Sequence, residues 1–401
     1  MVRAVQPIKL SSFTMTSALG AGKAITLDAL RAQRSGLVRK RWESIDFDTY
    51  IGEVAGVDAV ELPAALQAFD CRNNRLALMG LTQDGFDHDV QSFVRRVGAS
   101  RVGVFLGTST SGILSSELAY RQRDSITGAL PQTHDYRHTH NSYSVADFVR
   151  SYFGLTGPAC VVSTACSSSA KVFGNAQRML NHGLIDAAIV GGVDSLCLTT
   201  LYGFNSLQLL SGQPCRPFDA QRDGISIGEA AAFVLVERAD AMRSGDVLMT
   251  GLGESSDAHH MSSPHPEGWG ARDAMLAALR MAGLHPAEID YINLHGTATR
   301  NNDLAESRGV AAVFGHRVVC SSTKGHTGHT LGAAGAIEAV MSALVLQHGF
   351  IPGGAGTQDV DAELDCDYRL DNCEQSVRHV LSNSFGFGGS NCSLILSKVA
   401  I

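Results

Sequence analysis

The 401-residue chain is poor in aromatic side chains, at 6%, and in charged ones, at 18%. It has no excess of positive charge. The net charge of −7 argues against a general nucleic-acid binder but leaves room for a local basic patch facing an acidic partner. The N-terminus, Met1-Val2-Arg3-Ala4-Val5-Gln6-Pro7, lacks the apolar core of a signal peptide, and no uninterrupted apolar run reaches membrane-spanning length. A cytoplasmic protein without a membrane span is the expectation. Metal-ligand spacing is also missing among the nine cysteines, at 71, 160, 166, 197, 215, 320, 366, 373 and 392. All but Cys166 read as buried, reduced thiols. Glycine, by contrast, is abundant at 42 residues. Small residues let helices and strands approach closely and let backbone amides reach a ligand. A tightly packed α/β body follows, rather than an extended binding module.

Short apolar runs alternate with amphipathic stretches. Val102–Leu106, Ala187–Val190 and Ala231–Val236 read as buried strands, and Val172–His182, Ala271–Ala282 and Ala333–Leu346 as helices. This alternation predicts crossover units on a largely parallel sheet with the helices outside. Charge and turn residues gather over Glu237–Asp246, ahead of a new apolar start at Val247. A boundary near residue 245 therefore divides the chain into halves 1–245 and 246–401. Each half carries a reactive-looking turn before a small-residue helix, and no low-complexity linker separates them.

In the first half an apolar run, Cys160–Val162, leads into Thr164-Ala165-Cys166-Ser167-Ser168-Ser169 and then a helix. Cys166 is thus placed at a strand-to-helix turn, where unpaired amides and the helix dipole favour a thiolate. Taken alone, the turn also describes an inert packing cysteine before a serine-capped helix. In the second half the run Tyr291–Leu294 ends at His295-Gly296-Thr297-Ala298-Thr299. Ligands in open α/β sheets sit at such strand ends, although a plain polar turn fits as well. Further on, Lys324, His326 and His329 crowd a turn before a helix rich in glycine and alanine. A helix N-terminus beside His329 favours the neutral imidazole. His326 and His329, with His259, His260 and His265, lack the cysteine or carboxylate spacing of zinc sites, so no metal is expected. Near the C-terminus, Ser384-Phe385-Gly386-Phe387-Gly388-Gly389 reads either as a hairpin or as a source of an oxyanion-hole amide beside an aromatic wall.

Taken together and in this order, the Cys166 turn, the His295 loop, Lys324 through His329 with Leu331-Gly332-Ala333-Ala334-Gly335, and Asn383–Gly389 resemble the β-ketoacyl-ACP synthases, closest to the elongating branch with two histidines. Arg216-Pro217-Phe218-Asp219, Gly228-Glu229 and Ser256–Met261 extend the resemblance over nearly the whole chain. It implies an α/β, thiolase-type fold: two similar βαβαβαββ halves in five αβαβα layers, usually as a homodimer. The implied reaction is decarboxylative Claisen condensation with malonyl-ACP, without a cofactor. Carried onto this sequence, the resemblance makes Cys166 the acyl-accepting nucleophile. His295 and His329 would hold the malonyl thioester carbonyl and stabilise the enolate. The N–H groups of Cys166 and Phe387 would form an oxyanion hole, with Phe385 and Phe387 lining and gating the pocket. Thr297 and Thr299 would hold the phosphopantetheine arm, and Lys324, backed by Glu338, would support the His329 side. Thr110 would line the acyl pocket across a dimer interface.

Implied partners are the acyl carrier protein and either a second copy or a chain-length-factor-like subunit. Arg72, Arg75, Arg121 and Arg123 are the basic candidates for the acidic carrier. The chain departs from the family pattern at Arg300, where proline is frequent, at the additional His326, and in the short segment Phe204–Cys215, which lacks a carrier-binding arginine. A non-catalytic chain-length factor normally lacks the cysteine that this chain keeps. A thiolase normally has a second cysteine near the last glycine loop, whereas Cys392 lies beyond it. The Thr-Ala-Cys-Ser-Ser-Ser form and Gly224–Ala230 lean toward a specialised polyketide or aryl-polyene pathway over housekeeping fatty-acid elongation.

Overall fold

The apolar runs of the first half form strands β1 (Ile8–Ser17), β2 (Val102–Gly107), β3 (Ala159–Val162), β4 (Ala187–Asp194) and β5 (Ala230–Arg238) in a computed structural model that describes residues 6–400. They lie in the order β3-β2-β4-β5-β1. The first three are parallel, while β5 is antiparallel to β4 and β1 to β5. The second half repeats the pattern. Strands β6 (Val247–Ser256), β7 (Tyr291–Asn293), β8 (Val319–Ser321), β9 (His379–Gly386) and β10 (Ser390–Lys398) run in the order β8-β7-β9-β10-β6 with the same relative directions. The halves join where β1 and β6 pair antiparallel, Ile8 opposite Met249.

The principal helices follow the same logic. α1 (Arg72–Leu81), α2 (Ser144–Tyr152) and α3 (Ser168–Asn181) come after β1, β2 and β3, and α4 (Trp269–Ala282), α5 (Arg300–Phe314) and α6 (Ala334–His348) after β6, β7 and β8. Strand alternation sends side chains to opposite faces. Val234 and Val236 join α3 and α6 in the central core, while Phe233 and Leu235 face α1 and α2. In β10, Leu394 and Leu396 point to the central core and Ile395 to α4 and α5. The result is five layers of helix, sheet, helix, sheet and helix.

Two expectations are corrected. The sheet is not largely parallel, because each half ends in two antiparallel strands. Nor are all helices outside, since α3 and α6 lie between the halves. Ala334–Leu346 is buried on every side, which a surface helix with a polar face cannot be. The stretch Leu331–His348 is long and apolar enough to cross a membrane, yet 89% of it is buried inside the protein. Core burial of a middle-layer helix explains its composition.

Glycine makes the central crossing possible. A Cβ on Gly335 would lie 2.6 Å from the Ala170 nitrogen, and one on Gly192 would lie 2.5 Å from Ser169 Cβ. The N-terminal ends of α3 and α6 therefore touch, and the turns that precede them converge. Gly335→Val should cost about 1–3 kcal/mol or more through overpacking. Urea unfolding should show that loss as a lower transition midpoint.

Candidate active site

The loops leaving β2, β3, β7 and β8 each contain a non-glycine residue with positive φ: Ser111 (48°), Ala165 (53°), Ala298 (67°) and Leu331 (52°). Such backbone costs about 1–3 kcal/mol per residue and gathers where side chains must be aimed. At Ala165 the chain turns sharply, and Ser168 Oγ secures the turn. It accepts from the Thr164 N–H at 2.9 Å and donates to the Ala165 carbonyl at 2.5 Å. Cys166 and His329 occupy equivalent places in the two halves, each between the third strand and the third helix.

These loops bring together the side chains singled out from the sequence. One ligand-type atom from each of Cys166, His295 and His329 lies within 4.8 Å of the other two, and all three residues are buried. The imidazole rings are 5.2 Å apart and nearly perpendicular, at 82°. Lys324 Nζ donates to Glu338 Oε1 at 2.5 Å and to the His295 carbonyl at 2.5 Å, and it meets His295 Nδ1 at 3.2 Å. An ammonium has only donors, so His295 Nδ1 accepts and Nε2 carries the ring proton. The Leu331 N–H donates to His329 Nδ1 at 3.2 Å and selects the same tautomer. Burial first and the Lys324 charge second push both imidazoles well below their ordinary pKa. The cause is therefore burial and Lys324 rather than the helix N-terminus expected from sequence. Two neutral N–H donors face the cavity.

This protonation also bears on metal binding. By distance the three groups could surround an ion, but a protonated Nε2 has no lone pair to offer. Both Nδ1 positions are engaged by donors, so neither ring can switch tautomer without losing a hydrogen bond.

At Cys166, burial opposes the pull toward a thiolate that the helix start implies. Burial pushes the Cys166 thiol up to about 12, against the pull of Lys324 and of the Phe387 N–H, which hydrogen-bonds the sulfur. Burial penalises the anion more than these neighbours stabilise it, which favours the thiol. Phe387 lies at the tip of the β9–β10 hairpin, where Gly388 (φ 83°) and Gly389 (φ 75°) make the turn. A Cβ on Gly386 would lie 2.6 Å from the Thr164 carbonyl, so glycine lets the hairpin rest on the cysteine turn. The two readings of this loop merge: it is a hairpin that delivers an amide.

A cavity of about 390 Å³ ends on Cys166, His295 and His329. Thr297, Thr299, Phe385 and Phe387 line it, with Phe204, Leu207 and Arg300 toward the rim. The Thr297 and Thr299 hydroxyls are 2.9 Å apart. The Phe385 ring lies 5.8 Å from that of His295, whereas Phe387 is 38% exposed and 5.5 Å from Phe204.

Other predicted residues sit elsewhere. Arg72 is buried and bound to Glu229 and Asp58, so it is not free to meet a carrier. Arg75 is half-buried and paired with Asp70, while Arg121 and Arg123 are exposed, Arg121 resting on Ser44. Thr110 is buried outside the cavity lining, its hydroxyl donated to Asp194 at 2.9 Å. His326 also stays out of the cavity, its ring nitrogens 2.9 Å and 3.3 Å from the carbonyls of Arg34 and Gly353.

Three supporting carboxylates escaped the sequence reading. Glu306, raised to about 7 by burial, accepts from the His295 and Gly296 N–H groups at 2.8 Å each and from Asn383 at 3.1 Å. Asp303 accepts from the Thr297 N–H at 3.0 Å. Asp194 accepts from the Ser109, Thr110 and Gly332 N–H groups, tying a loop of the first half to the His329 turn of the second. For Asp303 and Glu306 a signal existed: acids in the first turns of the helix after the His295 loop can reach back to its amides.

Residues 80–241 match the family model of the β-ketoacyl synthase N-terminal domain, and residues 247–358 that of its C-terminal domain. A 3-oxoacyl-[acyl-carrier-protein] synthase 2 of Coxiella burnetii is 34% identical over 76% of this chain and 77% of its own length. A mitochondrial 3-oxoacyl-[acyl-carrier-protein] synthase of Arabidopsis thaliana is 38% identical over 62% of this chain, which spans 58% of that protein. The solved ketosynthase of Xenorhabdus doucetiae in complex with its chain length factor is similar over 100% of both chains, at 38% identity and a TM-score of 0.88. Both domain models match in order on a five-layered body built from two like halves. The chain therefore belongs to the β-ketoacyl synthase family and has its thiolase-type fold.

Proposed function

We propose that this protein condenses an acyl group held on Cys166 with malonyl-ACP, as the active member of a specialised polyketide or aryl-polyene type system. The observation that carries the reading is the meeting of one thiol and two neutral imidazole N–H donors in a single buried cavity.

In the first step the Cys166 sulfur attacks the acyl thioester carbonyl, the carbonyl-carbon–sulfur bond to the carrier arm breaks, and the proton leaves on the departing arm thiol. The Cys166 and Phe387 N–H groups receive the oxyanion. In the second, malonyl thioester places its carbonyl oxygen between the His295 and His329 Nε2–H donors. Its terminal carbon–carbon bond breaks, CO₂ departs, and the electron pair stays as the enolate. Preorganised donors of this kind are worth a few kcal/mol each, roughly 10²–10³ in rate. The enolate carbon then attacks the Cys166 thioester, a carbon–carbon bond forms, and the sulfur leaves as thiolate and takes up a proton. Ping-pong kinetics follow.

A chain-length-factor-like partner is supported by the Xenorhabdus ketosynthase, which was solved with its own. Among the described residues the outer edge of β3 is unpaired and ends the sheet, offering a strand edge on which a second subunit can continue. The matching strand orders support a division at residue 245 into a half carrying the cysteine and a half carrying both histidines. Nine free thiols suit a reducing cytoplasm.

Mass spectrometry after incubation with a panel of acyl-carriers should find the acyl group on Cys166, and Cys166→Ala should neither load nor yield 3-oxoacyl product. Product from that variant would end the assignment, and preferential loading of saturated fatty acyl chains would favour housekeeping elongation. The pH profile checks the histidines. Lys324 depresses both imidazoles, so Lys324→Met should let their pKa rise and move the acid limb of kcat/KM to higher pH. His295→Ala should lower kcat roughly 10²–10³-fold.

A further inference from the structure

Arg300, the residue that departs from the family pattern, is the first residue of α5 and lines the rim of the cavity that ends on Cys166, His295 and His329. Its side chain is exposed, and among the described residues it makes no hydrogen bond or ion pair. Its charge is felt at Asp361, but that carboxylate is already held by Arg222 at 2.5 Å. Arg300 is also the one Lys or Arg among the lining residues. The two lining carboxylates are engaged elsewhere: Asp223 accepts from Ser211 at 2.5 Å and Gly212 at 3.2 Å, and Asp257 from Asn391 at 3.0 Å. Next to Arg300 the wall is neutral and polar, made by Thr297, Thr299, Asn301 and Asn302.

A carrier-borne substrate presents this cavity with a thioester at the deep end, joined in malonyl by its carboxylate, with amides along the arm, and with one anionic group at the mouth, the phosphodiester, where the arm joins its protein. Hydroxyls and carboxamides suit the amides. The unpaired guanidinium suits the phosphate, which its planar fork can bind through two hydrogen bonds at once. Resting on the function proposed above, we propose that Arg300 binds the phosphodiester of the carrier's prosthetic arm at the cavity mouth. It is then a positioning residue, setting how far the thioester reaches toward Cys166 without touching the reacting atoms.

The test compares malonyl thioesters of pantetheine, of 4′-phosphopantetheine and of the intact carrier, with acyl-loaded wild-type enzyme and with Arg300→Ala and Arg300→Lys. In Arg300→Ala, KM for the phosphorylated arm and for the carrier should rise about tenfold. With malonyl-pantetheine, which lacks the phosphate, the change in KM should be much smaller, kcat should fall only with the phosphorylated donors, and Arg300→Lys should recover part of both losses. Equal losses with pantetheine and phosphopantetheine would overturn the proposal in favour of a structural role. A loss confined to the intact carrier would overturn it in favour of contact with the carrier's surface. If wild-type enzyme condenses none of the three donors, the proposed function itself fails and this assignment falls with it.

Discussion

The buried ammonium of Lys324 is the contact on which the site depends. It is 1% exposed, and its three donors meet Glu338 from α6 and the carbonyl and ring nitrogen of His295 from the β7 loop. Burying an ion costs several kcal/mol unless its hydrogen bonds are complete. This one is complete only while three separate segments keep their places. The charge has a second effect, because it opposes protonation of both imidazoles and so keeps them as neutral donors. Burial meanwhile pushes Glu338 up to about 7 against the pull of Lys324, which ties the carboxylate's ionisation to the integrity of the pair.

The rest of the architecture serves to place those segments. Because the halves share one strand order, the loops after β2 and β7 and those after β3 and β8 are equivalent pairs. Each pair has kept the same positive-φ device, at Ser111 and Ala298 and at Ala165 and Leu331. What differs is the side chain presented. The β3 turn offers a thiol, the β8 turn an imidazole, and the β7 loop a second imidazole. The β2 loop offers hydroxyls that bind Asp194 and, through it, the His329 turn. One backbone plan thus yields both reactive turns, and Asp194 locks one half to the other.

Much of this was legible in the sequence because turn chemistry is local. Glycine, serine, threonine and histidine within a few residues of a strand end announced the Cys166, His295 and His329 loops, and the strands and helices appeared where the apolar runs placed them. Strand direction and layer order are not local. Nothing within Val234–Val236 says which neighbour it pairs with, and α6 could be placed inside only by noticing that it lacks a polar face altogether. Arg72 shows the same limit for side chains. Its partner Glu229 is 157 positions away, so an arginine that reads as a free cation in sequence is a buried ion-pair member in the fold. The Cys166 thiol shows the limit too: a helix start is visible in sequence, but burial of the sulfur is a property of the packed whole.

A neutral resting site has a chemical logic of its own. Thiol, imidazole and imidazole carry no net charge, and the one cation nearby has every proton committed. In the proposed reaction an incoming malonyl carboxylate would meet, among the described residues, no free cation deep in the cavity, and the Phe385 ring lies 5.8 Å from that of His295. A carboxylate set against an apolar wall is poorly solvated. In that proposed step, loss of CO₂ would move the charge onto the thioester oxygen, toward the two N–H donors. Were Lys324 free to bind the carboxylate, the substrate would be stabilised more than the transition state and the reaction would slow. Saturating that lysine with Glu338 and the His295 loop keeps it an organiser of the donors and leaves the charge nowhere better to go than the enolate.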